Sequence, residues 1–118
     1  MTQLIQLYED FIFESADTQS FEDFAQKRLA GATKIAEMAK AKGGISMLTY
    51  HHFVVKLTYY KKAAAGKFDA VKAKQEIRDL QAELGKILKT FDKGSQIRFQ
   101  KVMGKIEVLG ELLIRLDQ

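Results

Sequence analysis

From Ser20 onward, apolar residues recur three or four positions apart in four runs, separated by short segments rich in Gly, Asp or Ser. That spacing puts them on one side of an α-helix and rules out the two-residue alternation of a half-buried strand. The chain contains no proline, so nothing forces a break or kink inside a run.

The first run opens at Ser20-Phe-Glu-Asp23, a capping-box variant with Asp where Glu is usual. Its stripe is Phe21, Phe24, Ala25, Leu29, Ala32, Ile35, Ala36 and Ala39, and Gly43-Gly44 stops it after Lys40 and Lys42. The second spans about 46 to 65, with Ser46 or Thr49 as its cap and Tyr50, Phe53, Val54, Leu57, Tyr60 and Ala64 as its stripe. Asp69 caps the third, which reaches about Phe91 through Ile77, Leu80, Leu84 and Ile87. After Asp92-Lys-Gly94, Ser95 caps the fourth, carrying Phe99, Val102, Ile106, Leu109, Leu113 and Leu116. These last two stripes alternate steps of 3 and 4, so a hairpin should bury them against each other. Ahead of the four lies a shorter candidate over residues 2–14, with Leu4, Tyr8, Phe11 and Ile12 at helical spacing.

The expected fold is therefore all-α, an antiparallel up-down helical bundle of four main helices with a short N-terminal helix. Its 118 residues suit a single domain, with residues 1–19 as an acidic helical arm and 20–118 as a four-helix core. Hydrophobic residues make up 47% of the chain, enough for a real core. The absence of Cys excludes disulfides and thiolate metal sites. The first ten residues lack the basic region of a signal peptide, and no apolar run approaches the ~18 residues of a membrane span. A cytoplasmic protein without membrane association is expected.

Charge is unevenly distributed. Residues 1–23 carry −6 and the remainder +10. Alternating helix directions would bring the turns after the first and third runs to one end of the bundle. That end would collect Lys40, Lys42, Lys86, Lys89, Lys93, Arg98 and Lys101, a patch suited to phosphate groups or nucleic acid and aided by helix N-termini at Ser46 and Ser95. The plainer explanation is that lysines favour solvated helix ends, where they also complement the helix dipole.

The second run carries an additional stripe, Leu48, His52, Val55 and Tyr59, flanked by Lys56 and Lys62. A helix apolar on two sides needs two neighbours. The N-terminal helix, a second copy of the chain or another protein would each serve. In a nucleic-acid complex, Tyr59 and His52 would stack on bases while Lys56 and Lys62 held phosphates.

Catalytic agents are few. His51 and His52 point about 100° apart on a helix and cannot chelate one metal ion together. No Glu-x-x-His, His-Glu-x-x-His, nucleophile elbow or phosphate loop occurs. Arg28 interrupts an apolar stripe and requires a carboxylate, with Glu9, Asp10, Glu14, Asp79 and Glu83 as candidates. Gly85 and Gly110 lie beside core stripes, where a close neighbouring backbone would justify them, whereas Gly104 falls on the polar side without evident reason. Together these features describe a non-enzymatic bundle that binds a protein partner or a second copy of itself, with nucleic-acid binding through the basic end as the alternative. Neither a cofactor nor a small-molecule substrate is implied.

Overall fold

The computed structural model describes residues 20–117. The helix expected over 2–14 and the acidic arm 1–19 lie outside the described residues. Within them are four helices: α1 (Phe21–Lys42), α2 (Ser46–Ala64), α3 (Ala70–Lys89) and α4 (Ser95–Leu116).

Two helices start as their residues direct. Ser20 Oγ accepts the Asp23 N–H at 3.1 Å, and Asp69 Oδ1 accepts the N–H groups of Val71 and Lys72 at 3.0 and 3.1 Å, in each case satisfying donors that a helix start leaves open. The other two depart from expectation. Neither Ser46 nor Thr49 caps α2. The Gly43–Ile45 turn is so tight that its own carbonyls accept the N–H groups of Ser46, Met47 and Leu48, each at 3.1 Å. Ser46 becomes the first helical residue and is buried. At α4 the cap is Asp92, whose Oδ1 accepts the N–H groups of Gly94 and Ser95 at 2.9 and 3.0 Å and the Ser95 hydroxyl at 3.1 Å. The α1–α2 turn depends on Gly43 and Gly44, with φ of 65° and 57°, a left-handed conformation that only glycine adopts cheaply.

Helix directions alternate. Lys40 lies over the Tyr50 ring beside one turn, while Arg28 and Tyr60, far from that turn, converge on Glu111. In the other hairpin Phe91 meets Phe99 edge-on at 5.8 Å, as the matched stripes require. Helix α1 packs on α2, α2 on α4, and α4 on α3, with a brief contact between α1 and α4. Helix α4 is thus central, and the parallel pair α2 and α4 touches directly.

Gly104 permits that contact. It is buried, and a Cβ on it would lie 2.2 Å from the His52 carbonyl oxygen and 2.7 Å from Val55 Cγ2. The glycine that looked unexplained on the polar side is therefore the point of closest approach. Gly85 and Gly110, expected to meet a neighbouring backbone, have nothing within 4 Å of a Cβ position. The core joins Phe24, Ile35, Phe53, Tyr60, Leu80, Ile87, Val102, Val108, Leu109 and Leu112. Ala25, Ala32, Ala36 and Ala39 give α1 a shallow buried face, which lets it lie close on α2. Among the described residues no helix is long and apolar enough to cross a membrane.

Candidate functional site: a basic pole and a polar seam

Alternating directions place the α1–α2 and α3–α4 turns at one pole. Lys40 and Lys42 end α1, Lys86 and Lys89 end α3, Lys93 lies in the turn, and Arg98 and Lys101 begin α4; all seven are exposed. Because α1 and α3 are the outer helices, the two lysine groups flank the starts of α2 and α4 rather than adjoin. Little acid opposes them. Glu83 stands 3.8 Å from Arg98 across an exposed pair, an arrangement worth a fraction of a kcal/mol. Asp92 is held by the α4 N-terminus. For the same reason the expected help from the helix N-termini is missing. The N–H of Ser95 already faces a carboxylate, and those of α2 are satisfied by the turn.

The pole is apolar as well as basic, which spacing alone did not reveal. Ile45 is 79% exposed, Leu88 55%, Phe91 47% and Ile97 43%. These side chains stand among the cations, at the two turns that share the pole. Phe91 ends an apolar stripe and was expected inside, but the stripe outruns the partner helix at the turn.

The second stripe of α2 is partly covered from within the chain, by α4 at His52 and Val55. Val55 packs at Gly104. His52 places Nδ1 3.0 Å from Gln100 Oε1 and Nε2 3.0 Å from Glu107 Oε1. Lys56, expected to flank an open face, is 5% exposed; its Nζ donates to Glu107 Oε1 at 3.0 Å and lies 4.6 Å from the centre of the Phe53 ring. The hydrogen bond from His52 and the Lys56 charge hold the Glu107 carboxyl at about 2, against the opposing effect of burial. Tyr59 donates its hydroxyl to Glu76 of α3. Burial, then the Glu76 carboxylate, pushes that hydroxyl above its ordinary range. Leu48 is half-buried, and Lys62 stands exposed at the edge. Of the proposed partner face, then, His52, Val55, Lys56 and Tyr59 are engaged inside the fold.

Farther along the seam, Arg28 reaches a carboxylate that sequence reasoning had not nominated. Its Nη2 lies 3.0 Å from Glu111 Oε2, and the Tyr60 hydroxyl donates to Glu111 Oε1 at 2.5 Å. The guanidinium also covers the Phe24 ring, which Arg115 approaches as well. Gln100, Gly104, Glu107 and Glu111 share one side of α4, about half a turn from its apolar stripe. One signal was available in the sequence: a glycine centred in a polar stripe marks a face that another backbone touches. His51 sits edge-on to Tyr50. The described residues contain no group of three or more His, Asp or Glu side chains placed to hold a metal ion.

No protein-family model matches this chain, and neither a curated protein nor a solved structure matches it.

Proposed function

We propose that the chain is a non-enzymatic binding module that holds an acidic, amphipathic segment of a partner protein at its basic pole. The observation that carries this reading is the mixture on that pole. Ile45, Leu88, Phe91 and Ile97 are exposed among Lys40, Lys42, Lys86, Lys89, Lys93, Arg98 and Lys101. Cations alone suit any polyanion. Apolar side chains among them favour a partner that brings both carboxylates and an apolar face, since apolar anchors in protein interfaces supply affinity while surrounding charges steer encounter. The α4 cover over His52 and Val55 supports placing the contact at the pole rather than on the second stripe.

Nucleic-acid binding is the second reading, favoured by the shortage of free carboxylates around those seven cations. Fluorescence anisotropy separates the two. The chain is titrated into a labelled acidic amphipathic peptide and into a labelled single-stranded oligonucleotide, at two salt concentrations. Partner-protein binding predicts that Phe91→Ser and Leu88→Ser weaken the peptide complex as strongly as Lys89→Glu with Arg98→Glu. Oligonucleotide binding that falls steeply with salt and ignores the two serine variants would establish the alternative. If neither probe binds at low salt, the pole is an ordinary solvated helix end and both readings fail.

A further inference from the structure

We propose that the wedge between α2 and α3 binds a small organic phosphate, one that joins a phosphate group to a planar or apolar body. Gly104 draws α2 onto one side of α4, while α3 packs on the opposite side. The C-terminal half of α2 and the N-terminal half of α3 are thereby held apart. Their backbones do not meet, and the Tyr59–Glu76 hydrogen bond spans the gap. Beside that bond lies a cleft of about 300 Å³, at the small end of the range that ligand pockets occupy.

The lining has two kinds of surface. Tyr59, Phe68 and Leu109 supply aromatic and aliphatic wall. Lys62 from α2, Lys67 from the following loop and Lys72 from the first turn of α3 also line it, three lysines from three separate segments. Among the described residues no carboxylate forms an ion pair with any of the three. The two carboxylates that line the cleft face other donors: Asp69 accepts the N–H groups of Val71 and Lys72, and Glu76 accepts the Tyr59 hydroxyl. A fourth lysine, Lys105, lines the adjoining cleft on the far side of Tyr59, together with Val55 and Thr58.

Three cations around one recess match the several oxygens of a phosphate dianion, each of which takes a charge-assisted hydrogen bond. The aromatic wall adds a place for a flat ring. Sequence spacing implied no small-molecule ligand because Lys62, Lys67 and Lys72 belong to no common helix face and meet only in the folded chain. This cleft lies at the end of the molecule opposite the basic pole, so the two sites can be tested independently.

The test titrates the full chain with adenosine monophosphate and, separately, with inorganic phosphate, followed by calorimetry and backbone amide NMR. The nucleotide should saturate a single site, with shifts concentrated at Lys62, Phe68 and Lys72, and should bind more tightly than phosphate. Lys62→Gln and Lys72→Gln should each weaken it by about fivefold. Both are exposed lysines whose substitution leaves the core untouched, and thermal melting of each variant checks this. Lys89→Gln, at the other pole, should leave affinity unchanged. Failure to saturate at about 10 mM nucleotide, or an equal loss in Lys89→Gln, overturns the proposal. Phosphate binding as tightly as the nucleotide overturns the role given to the aromatic wall.

Discussion

Adding one methyl group at Gly104 should destabilise this protein, unlike the same substitution at the helical glycines Gly85 and Gly110. The new Cβ would lie 2.2 Å from the His52 carbonyl oxygen, where ordinary contact begins at 3.4 Å, so α2 and α4 must part by about 1 Å. The Val55 methyl at 2.7 Å can turn aside, but a helical carbonyl cannot. Parting the helices stretches three 3.0 Å contacts, His52 to Gln100, His52 to Glu107 and Lys56 to Glu107, to about 4 Å, beyond hydrogen-bond range. Overpacking of this kind costs about 1–3 kcal/mol. Loosening a buried lysine from its carboxylate adds roughly 1–2 kcal/mol. The better helix propensity of Ala returns about 1 kcal/mol. The net loss is about 1–4 kcal/mol, equivalent to roughly 5–15 °C in Tm for a chain of this size.

Gly85→Ala and Gly110→Ala are the controls. Both glycines are helical and have nothing within 4 Å of a Cβ position, so each substitution should stabilise by about 0.5–1 kcal/mol. Guanidinium unfolding followed by circular dichroism measures all three. If Gly104→Ala matches or exceeds wild-type stability, as the controls should, the close crossing of α2 and α4 is wrong, and the wedge that depends on it fails too.

Three further substitutions test the seam. Glu107 titrates at about 2 in the fold against an ordinary 4.5, so its charged form is the one the fold favours. Its stabilising contribution is complete above the ordinary value and is lost as pH falls from about 5 toward 2. Because Glu107 is 42% exposed, that contribution is discounted for solvent screening to about 1 kcal/mol; the stability gap between wild type and Glu107→Gln should close over that pH interval, and a gap constant from pH 7 to 2.5 would refute the assignment. Arg28→Met keeps the volume of a buried side chain but leaves Glu111 with only the Tyr60 hydroxyl among the bonds described above. It should lower stability by about 2–3 kcal/mol at pH 7, and Arg28→Met with Glu111→Gln should recover part of the loss in the same unfolding assay.

Much of what could be read in advance is decided by a residue with its near neighbours in the chain, although the caps expected at Ser46 or Thr49 and at Ser95 are local too and the fold uses the Gly43–Ile45 turn and Asp92 instead. Ser20, Asp69 and the Gly43-Gly44 stop act within four residues of themselves, and each does in the fold what its type and position imply. The paired stripes of α3 and α4 are joined by so short a turn that they too count as local. Gly104 could not be read this way, because its reason is the His52 carbonyl, half the chain away. Gln100, Glu107 and Glu111 look like a solvated face by any hydrophobic pattern, yet they form the surface that α2 meets. Lys56 was misplaced by the same logic: a lysine beside an apolar stripe is ordinarily exposed, unless a carboxylate from another helix draws it in. That the seven cations lie at one end could be read, since helix direction alone decides which turns share an end. Their apolar company could not, because exposure at a helix end depends on where the partner helix stops.

The two proposed sites and the framework divide the molecule in a way that bears on how any partner would be detected. His52, Lys56, Glu107, Arg28 and Glu111 sit between helices, and altering them alters stability. The cations of the pole sit outside every packed interface, apart from the Lys40 contact with Tyr50 and the weak exposed pair of Arg98 with Glu83, and contribute mutual repulsion screened over about 8–10 Å at ordinary salt. Neutralising Lys89 and Arg98 should therefore leave Tm unchanged or raise it slightly. An acidic partner bound there relieves the same repulsion, and any ligand that binds only the folded state adds RT ln(1 + [L]/Kd) to its stability, about 2.7 kcal/mol at one hundred times Kd. Thermal shift thus distinguishes the two kinds of residue directly. A true ligand of the pole raises Tm in the wild type and in Glu107→Gln alike, but not in the Lys89 and Arg98 double variant. A compound that stabilises all three equally is acting elsewhere on the chain.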